Sequence, residues 1–379
     1  MARYSFVVCR SSGEPVGEAL AAKSRQLTRA LNQPATATIS LQLGDDLASF
    51  VVPGLRLKVY RSATPAEAAV GITRTLVFYG QLPPLGLMLD AGSDTLTAMY
   101  KDPSWVLSRR FVQGLNTVVA ILGGGTGIVS GLGDAISDSF AATKQGAILQ
   151  GVLTRINTFG DTWIVPGGDV TTPLRDRAYP QGKNVAELFA EMTNVIDGCD
   201  WEVSPLDYYS LAGSATPKAM GTLSTYQKKG TDRPGVIFAY GPGTIANVAG
   251  AQLAYQDVTN ATTFIGTAQD GSTVIKGYNV ASPDWFLEEW GTLPDVSNAQ
   301  TVLERSTGNT TESYYLRPIV TVTNPLPDAP RFLVDYFIGD TVRVQVKRGA
   351  FVQSTSPRVM AVVMDITQEG AENVALTLS

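Results

Sequence analysis

The chain of 379 residues contains no histidine, and this absence removes more candidate functions than any residue that is present. Ser-His-Asp and Cys-His nucleophiles, histidine-ligated zinc and the commonest general base near neutral pH all need the missing imidazole. Cysteine is scarce as well, since the chain carries only Cys9 and Cys199. They form no C-x-x-C pair for a metal or redox site. One disulfide stays an alternative, but two free, buried thiols are the favoured interpretation.

Charged residues are also few. They make up 17% of the chain, the net charge is -5, and there is no tract of lysine or arginine. A protein that grips nucleic acid through its phosphates needs such a tract, so this class is excluded. A mildly acidic protein can still let DNA pass without binding it. The residues after Met1 enter a strand-like pattern without the apolar core of a signal peptide, so export is not expected.

Apolar residues make up 44% of the chain, and its length predicts two or three domains. The first hundred residues contain five short strand patterns separated by turn residues. These patterns cover Tyr4 to Cys9, Thr36 to Leu43, Leu55 to Tyr60, Leu76 to Gly80 and Thr95 to Tyr100. Their spacing predicts a small β-barrel or sandwich.

The middle of the chain changes character. Apolar residues recur at helical spacing between Ala141 and Phe159 and again between Asn184 and Ile196, where Gly198 marks the end. Short strand patterns return from Leu206 to Ala281 and in a last block, residues 332–378. We therefore predict a mainly β fold with an α+β insert. The expected division is a first β domain at 1–110, a mixed helical insert at 111–205 and a second β domain at 206–379.

Aromatic and acidic residues supply the other candidate sites. The densest aromatic group is Trp285, Phe286 and Trp290, for which a contact with a partner protein is favoured over a sugar-binding platform. Paired acids could serve a glycosidase only at a defined separation, and solvated turn acids are the favoured interpretation. These acids are Glu288 and Glu289, Asp200 and Glu202, and Asp45 and Asp46. We predict no catalytic residues and no metal site.

The order of several short motifs resembles the tail-tip hub proteins of siphophages, also called tail-associated or minor tail proteins, and especially those of actinobacteriophages. The resemblance covers both ends of the chain well and the middle poorly. Its N-terminal motifs are Leu31-Asn32-Gln33-Pro34-Ala35, Val59-Tyr60-Arg61, Phe78-Tyr79-Gly80 and the corner from Asp102-Pro103 through Trp105 and Leu107 to Arg110. The C-terminal motifs are Ile338 to Val344, Arg358 to Met360 and Asn373 to Leu378.

This resemblance implies a structural virion protein without enzymatic activity. It implies a homotrimer in which each subunit supplies two tube-like β-barrel or sandwich domains to a ring at the tail tip, with the insert outside. The ring would continue the tail tube and line the channel for DNA and the tape measure protein, with a wall too polar and too acidic to hold phosphates. Trp105, in the corner that begins at Asp102-Pro103, joins the aromatic interaction candidates.

The implied partners are the distal tail protein, the tail tube, the tape measure protein and other tail-tip proteins, with genomic DNA only in transit and contact with the host envelope. Assembly would take place in the host cytoplasm. Two alternatives stay open. One is a distal tail ring or carbohydrate-binding minor tail protein, which oligomeric state distinguishes because a distal ring is hexameric. The other is a cell-wall hydrolase that uses carboxylates, which a turnover assay on peptidoglycan distinguishes.

A glycine-rich stretch is the last candidate. It lacks the lysine of a phosphate-binding loop and the third glycine of a dinucleotide fingerprint, so no cofactor is predicted. Residues 111–133 contain no charge, and the favoured interpretation is a loop packed between subunits. The sharper hypothesis is a plug that fills the channel or touches the host membrane. Its glycines are Gly123, Gly124, Gly125, Gly127 and Gly131.

Overall fold

The computed structural model describes residues 4–112, 138–158, 160–180, 182–206, 219–241, 246–255, 259–267, 272–280, 286–293, 296, 298–313, 318–326, 328–367 and 372–379. Its helices are α1 (Pro65–Ala69), α2 (Gln145–Thr158), α3 (Val185–Thr193) and α4 (Ala299–Ser313). The strands of the N-terminal part are β1 (Tyr4–Cys9), β2 (Pro15–Glu18), β3 (Ser24–Ala30), β4 (Thr36–Gln42), β5 (Arg56–Ser62), β6 (Arg74–Gln81), β7 (Leu87–Asp90) and β8 (Thr95–Lys101).

The remaining strands occupy the middle and the C-terminal part. The middle strands are β9 (Asp138–Lys144), β10 (Ile164–Val170), β11 (Leu174–Tyr179), β12 (Asp200–Pro205) and β13 (Gly221–Tyr226). The later strands are β14 (Asp232–Tyr240), β15 (Val248–Tyr255), β16 (Ala261–Thr267), β17 (Thr273–Asn279), β18 (Glu288–Leu293), β19 (Pro318–Pro325), β20 (Thr341–Arg348), β21 (Phe351–Thr355), β22 (Val359–Ile366) and β23 (Glu372–Leu378).

One sheet joins strands from both ends of the chain. Eight of its strands follow one another in the order β15-β19-β23-β22-β3-β4-β8-β7, which we call the eight-stranded layer. Its two halves meet where β3 pairs antiparallel with β22, with Ala30 opposite Ala361 and Arg25 opposite Ile366. N-terminal and C-terminal strands therefore form a single continuous surface.

The other strands of both ends cover one side of this layer. Strands β6, β5, β1 and β2 continue the sheet beyond β8, and β14, β20 and β21 form a separate three-stranded sheet. A single hydrophobic core combines side chains from these outer strands, such as Phe6, Phe78 and Phe238, with layer side chains such as Ile39 and Leu376. Burial of this apolar surface is the main force that holds the two sets of strands together.

Residues 138–226 contain a first insert with a core of its own. Helix α2 packs on the sheet β10-β13-β12, and α3 lies nearby. Asn184 caps α3 by accepting hydrogen bonds from the backbone N–H groups of Ala186 and Glu187. The buried apolar stripes of both helices, predicted from their spacing, point into this second core, where Phe189 meets the ring of Trp201 edge-to-face at 5.4 Å.

A second insert lies between β15 and β19. Its sheet has the order β17-β16-β18, and α4 packs on one face of that sheet. Ser306 on α4 donates to the carbonyl of Lys276, and Thr310 donates to the carbonyl of Tyr278. The sequence patterns did not predict α4, because buried Ser306 and Thr310 give it a weakly apolar stripe.

The predicted N-terminal strands agree with β1, β4, β5, β6 and β8 to within two residues at each end. The sequence patterns did not predict β2, β3 and β7. Cys9 and Cys199 are both buried and do not form a disulfide, as the favoured interpretation expected. Burial raises the pKa of the Cys199 thiol to about 12. The division into domains at 110 and 205 stays a prediction.

Candidate functional site

The side of the eight-stranded layer that faces away from the core carries short polar side chains, and we call it the threonine face. Successive side chains of a strand point to opposite faces, so this face holds the residues between the buried ones. Its described members are Gln252, Thr321, Asn373, Ala375, Thr377, Ala361, Val363, Asp365, Ser24, Gln26, Thr28, Ala30, Thr36, Thr38, Ser40, Gln42, Thr95, Thr97, Met99, Lys101, Met88 and Asp90.

Strand register places these side chains in rows across the layer. In one row Val363 is opposite Thr28, Thr28 is opposite Thr36, and Thr36 is opposite Lys101. Hydroxyl groups of paired residues meet directly, since the Ser40 Oγ and Thr97 Oγ1 atoms lie 3.0 Å apart. Such cross-strand pairs stabilise a sheet whose face is open to water.

The threonine face is close to neutral. Its charged members among the described side chains are Asp90, Lys101 and Asp365, and Asp365 accepts a hydrogen bond of 2.8 Å from Gln26 Nε2. The rest are uncharged and mostly shorter than lysine or glutamate. The face therefore offers water and polar polymers many weak contacts but no cluster of cations for phosphate groups.

Both ends of the eight-stranded layer are open strand edges. Among the described residues β7 pairs only with β8, and β15 pairs only with β19. Large apolar side chains stand exposed at the β7 end: Leu85 is 93% exposed, Met88 63% and Leu89 60%. Strand β15 contains neither charge nor proline, the devices with which proteins usually protect an edge.

A cluster of ions fixes the first insert to the side of the layer opposite the threonine face. Arg29, on the core side of β3, lies 2.6 Å from Glu202 on β12. Lys229 Nζ binds the other oxygen of Glu202 at 2.5 Å. Burial alone would raise the pKa of Glu202, but Arg29 and Lys229 outweigh it, and the pKa is lowered. Burial lowers the pKa of Lys229 although Glu202 acts against it.

Asp200 belongs to the same cluster. It forms an ion pair with Arg358 and accepts hydrogen bonds from Asn32 Nδ2 at 2.9 Å and from the backbone N–H of Lys229 at 2.7 Å. The interpretation of Asp200 and Glu202 as solvated turn acids is therefore wrong, because both lie in a strand, on one face, largely buried and paired. Their oxygens are occupied by cations and amides, which does not suit a catalytic acid and base.

The aromatic interaction candidates lie on different surfaces. Phe286 and Trp290 are each 62% exposed, in and just before β18 of the second insert, and Trp285 lies outside the described residues. Trp105 is half-buried in a short 3-10 helix (Pro103–Arg109) that follows β8. Its buried indole Nε1 has no hydrogen-bond partner in the described part of the chain. Trp105 therefore lies in a different part of the fold from Phe286 and Trp290.

The five glycines of the uncharged stretch, Gly123, Gly124, Gly125, Gly127 and Gly131, also lie outside the described residues. Within the described ranges, no group of three acidic or cysteine side chains is close enough together to hold a metal ion. Over those same ranges, no helix is long and apolar enough to cross a membrane. The alternation of Thr36, Thr38 and Ser40 with apolar residues indicated that β4 has one polar face. The pattern of a single strand does not show which strands lie beside it, so the extended threonine face could not be predicted.

Known structures share this fold over nearly the whole chain. A tail protein from Neisseria meningitidis MC58 superposes with a TM-score of 0.58 at 11% identity, covering 99% of this chain and 96% of the other. The 43 kDa tail protein of prophage MuSo2 from Shewanella oneidensis gives 0.57 at 12% identity, with 99% and 98% covered. Prophage tail protein gp18 from Listeria monocytogenes EGD-e gives 0.51 at 10% identity, with 98% and 94% covered.

No protein-family model and no curated protein matches the sequence. At 10–12% identity the structural matches establish a shared fold. The predicted fold class is confirmed: the protein is mainly β with helical inserts, and its fold is that of these phage tail proteins.

Proposed function

We propose that this protein is a structural subunit of a phage tail, the hub at the tail tip, and that three copies close their eight-stranded layers into one ring. One observation carries the proposal. A continuous layer built from both ends of the chain has a nearly neutral polar face and two open strand edges. The fold shared with tail proteins supports the same conclusion, and the motif resemblance favours the siphophage tail tip.

The open edges explain how copies would join. An exposed edge such as β15, without charge or proline, pairs readily with another strand. The opposite end of the layer offers β7, with Met88 and Leu89 exposed beside it. Pairing β7 of one copy with β15 of the next would satisfy both edges and cover apolar surface of Leu89, which lies on the side opposite the threonine face. Such a head-to-tail contact closes into a ring when the rotation that relates one copy to the next is a whole fraction of a full turn.

Strand geometry favours three copies. Eight strands per copy, spaced about 4.8 Å apart and tilted by about 40°, give a 24-stranded barrel about 48 Å across. Side chains reach inward about 5 Å, which leaves a bore of about 38 Å. Two copies would leave about 22 Å, hardly more than a DNA duplex that is roughly 20 Å wide. Three copies therefore make the smallest ring that passes hydrated DNA freely.

The wall of this bore would be the threonine face. Hydroxyl, amide and methyl groups exchange contacts with water at little cost, and phosphate groups find few cations to hold them. Neutral polarity, more than the acidity expected from the net charge, would keep the passing genome mobile. The protein would act passively and carry no catalytic site, and DNA would meet it only in transit.

Outward surfaces would meet the other tail components. The second insert presents Phe286 and Trp290, and we assign them, with Trp285, to contacts with neighbouring tail-tip proteins or the host envelope. Trp105 would contact the distal tail protein or tail tube, where its free indole N–H finds an acceptor. The tape measure protein would occupy the bore before ejection. The uncharged segment with Gly123 to Gly131 stays a candidate plug, which deletion of residues 123–133 tests through infectivity.

The decisive experiment measures the assembled state. Wild-type protein at high concentration should form three-fold rings with an open bore, seen by electron microscopy and by mass from light scattering. Leu89→Lys places a charge on the proposed junction and should give monomers with an unchanged melting temperature. Leu174→Lys is the matched control, because Leu174 is 57% exposed on β11 of the first insert, and it should keep the ring. Rings of six copies, or rings that survive Leu89→Lys, would overturn the proposal.

A further inference from the structure

A cleft of about 320 Å³ lies where the two inserts meet, away from the threonine face. Its walls include Phe140 of β9, Tyr179 of β11, Val195 after α3 and Leu293 of β18. Clefts of roughly this volume or larger, mostly apolar with a few polar groups, are where proteins bind small ligands or single anchoring side chains. The ring proposed above makes no use of this cleft.

Direct contacts between the inserts brace the cleft. Arg175 of β11 lies 3.3 Å from Glu304 of α4. A Cβ atom at Gly308 of α4 would lie 2.8 Å from the backbone nitrogen of Ile196, so the glycine lets the helix approach the first insert closely. The walls of the cleft are thus held by packing and by an ion pair, and do not depend on an occupant.

Two buried hydrogen-bond donors line the cleft. The Tyr179 hydroxyl and the Nη2 atom of Arg177 are buried, and neither forms a hydrogen bond within the described part of the chain. Tyr179 is 3% exposed, and it shares a strand face with Arg177 because the two are two positions apart on β11. Burial raises the pKa of Tyr179, although the neighbouring Arg177 guanidinium, which points a donor at the hydroxyl oxygen, acts to lower it. The hydroxyl therefore keeps a proton that it can donate.

The two carboxylates that line the cleft are already engaged. Asp176 accepts a hydrogen bond of 2.7 Å from the backbone N–H of Ala142, and Glu191 lies 2.8 Å from Lys183. Arg305, also in the lining, donates to the carbonyl of Glu191 at 3.3 Å. The charged side chains of the lining give a net charge of +1, from Arg177, Lys183 and Arg305 against Asp176 and Glu191.

We propose that this cleft binds a carboxylate group carried on an apolar body. A carboxylate is acceptor-only and can take both free donors at once, and charge-assisted hydrogen bonds of this kind are among the stronger ones. Phe140, Val195 and Leu293 would cover the apolar body. The source of the carboxylate is either a small organic acid or an acidic side chain on a partner protein.

Fluorine NMR of the full-length protein tests the chemistry. The probe is para-fluorophenylacetate, and its neutral counterpart para-fluorophenylacetamide has the same shape. We expect saturable binding of the acid at millimolar concentration, about tenfold tighter than the amide. Arg177→Gln should abolish that preference, whereas Arg10→Gln, which removes the same charge from an exposed site, should retain it. Tyr179→Phe should weaken the acid alone without changing the melting temperature.

Blocked peptides distinguish the two sources. A peptide with glutamate between leucine and phenylalanine is compared with its glutamine counterpart. Preference for the glutamate peptide over the small acid assigns the cleft to a partner protein, and the reverse order assigns it to a free acid. Equal affinity for acid and amide, or no saturable binding of any acidic probe, would overturn the proposal.

Discussion

The Nη2 atom of Arg29 lies 2.6 Å from Oε1 of Glu202, and this pair fastens the first insert to the eight-stranded layer. The side chains are only 14% and 20% exposed. Arg29→Ala should lower the free energy of unfolding by about 2–3 kcal/mol, because removing one partner of a buried pair leaves the other poorly compensated, and Lys229 compensates part of the loss. Urea denaturation measures it.

The exposed pair of Arg10 and Glu14 is the control for this prediction. Its atoms lie 3.8 Å apart and its side chains are 68% and 61% exposed. Arg10→Ala should change the free energy of unfolding by less than about 1 kcal/mol. Similar effects at the two positions would show that burial of the Arg29 pair does not matter.

Asp102 should make stability depend on pH. Burial raises the pKa of this carboxyl to about 6, although the hydroxyl of Ser104 and the backbone N–H of Ala35 donate to it. In the unfolded chain the pKa is about 4, so the folded protein binds this proton more tightly. The carboxyl contributes about 2–3 kcal/mol to stability below pH of about 4, and this is lost as pH rises through about 6.

Two variants test the assignment to Asp102. Asp102→Asn should flatten the pH dependence of the free energy of unfolding over this range. Ser104→Ala keeps the carboxyl but removes a hydrogen bond that lowers its pKa, so the midpoint should move to higher pH. An unchanged slope in Asp102→Asn would assign the dependence to another group.

Gly230 should tolerate no side chain. Its φ is +94°, and a Cβ atom there would lie 2.1 Å from the carbonyl oxygen of Gly339. Gly230→Ala should lower the free energy of unfolding by about 3 kcal/mol, the sum of backbone strain and a clash. Gly71 has φ +84° but open space around it, so Gly71→Ala should cost about 1 kcal/mol. Thermal unfolding compares the two.

Cations on the threonine face should convert a passive surface into a DNA-binding one. The triple variant with Thr28→Lys, Thr38→Lys and Thr97→Lys should retain duplex DNA, with an affinity that falls steeply with salt because each phosphate contact releases a counterion. The control carries Thr154→Lys, Ser108→Lys and Thr172→Lys on exposed positions elsewhere. It has the same net charge and should bind DNA far more weakly in a fluorescence anisotropy titration.

Local patterns predicted the strands whose two faces differ. Ile39 and Leu41 alternate with Thr38 and Ser40, so β4 could be predicted from its own residues. Strand β3 was not predicted because Arg25 and Arg29 occupy its core side. There Arg25 donates to the carbonyl of Thr367, and Arg29 pairs with Glu202 of the first insert. Strand β7 was not predicted because Met88 and Leu89 are consecutive apolar residues with no alternation of polar and apolar side chains. Both side chains are exposed at an open strand edge.

The ion cluster and the layer itself could not be predicted, since both depend on contacts distant in sequence. Asp200 and Arg358 lie 158 residues apart in the sequence, and only the fold brings them together. Burial on both faces of β5 likewise depends on tertiary structure. Arg56 and Lys58, which would usually face water in an alternating strand, are buried beside the ring of Tyr79.

The ladder between β3 and β22 constrains how the chain can be made. The ribosome releases β3 long before residues 359–366. The backbone N–H and C=O groups of β3 that pair with β22 therefore have no strand partner until more than 300 further residues, such as the 339 between Gln26 and Asp365, have been added. Pairing across such a sequence separation is slow, and an incomplete chain exposes an unpaired strand edge that can associate with other chains. Newly synthesised protein should therefore need protection from premature association until β22 has been made and has paired with β3.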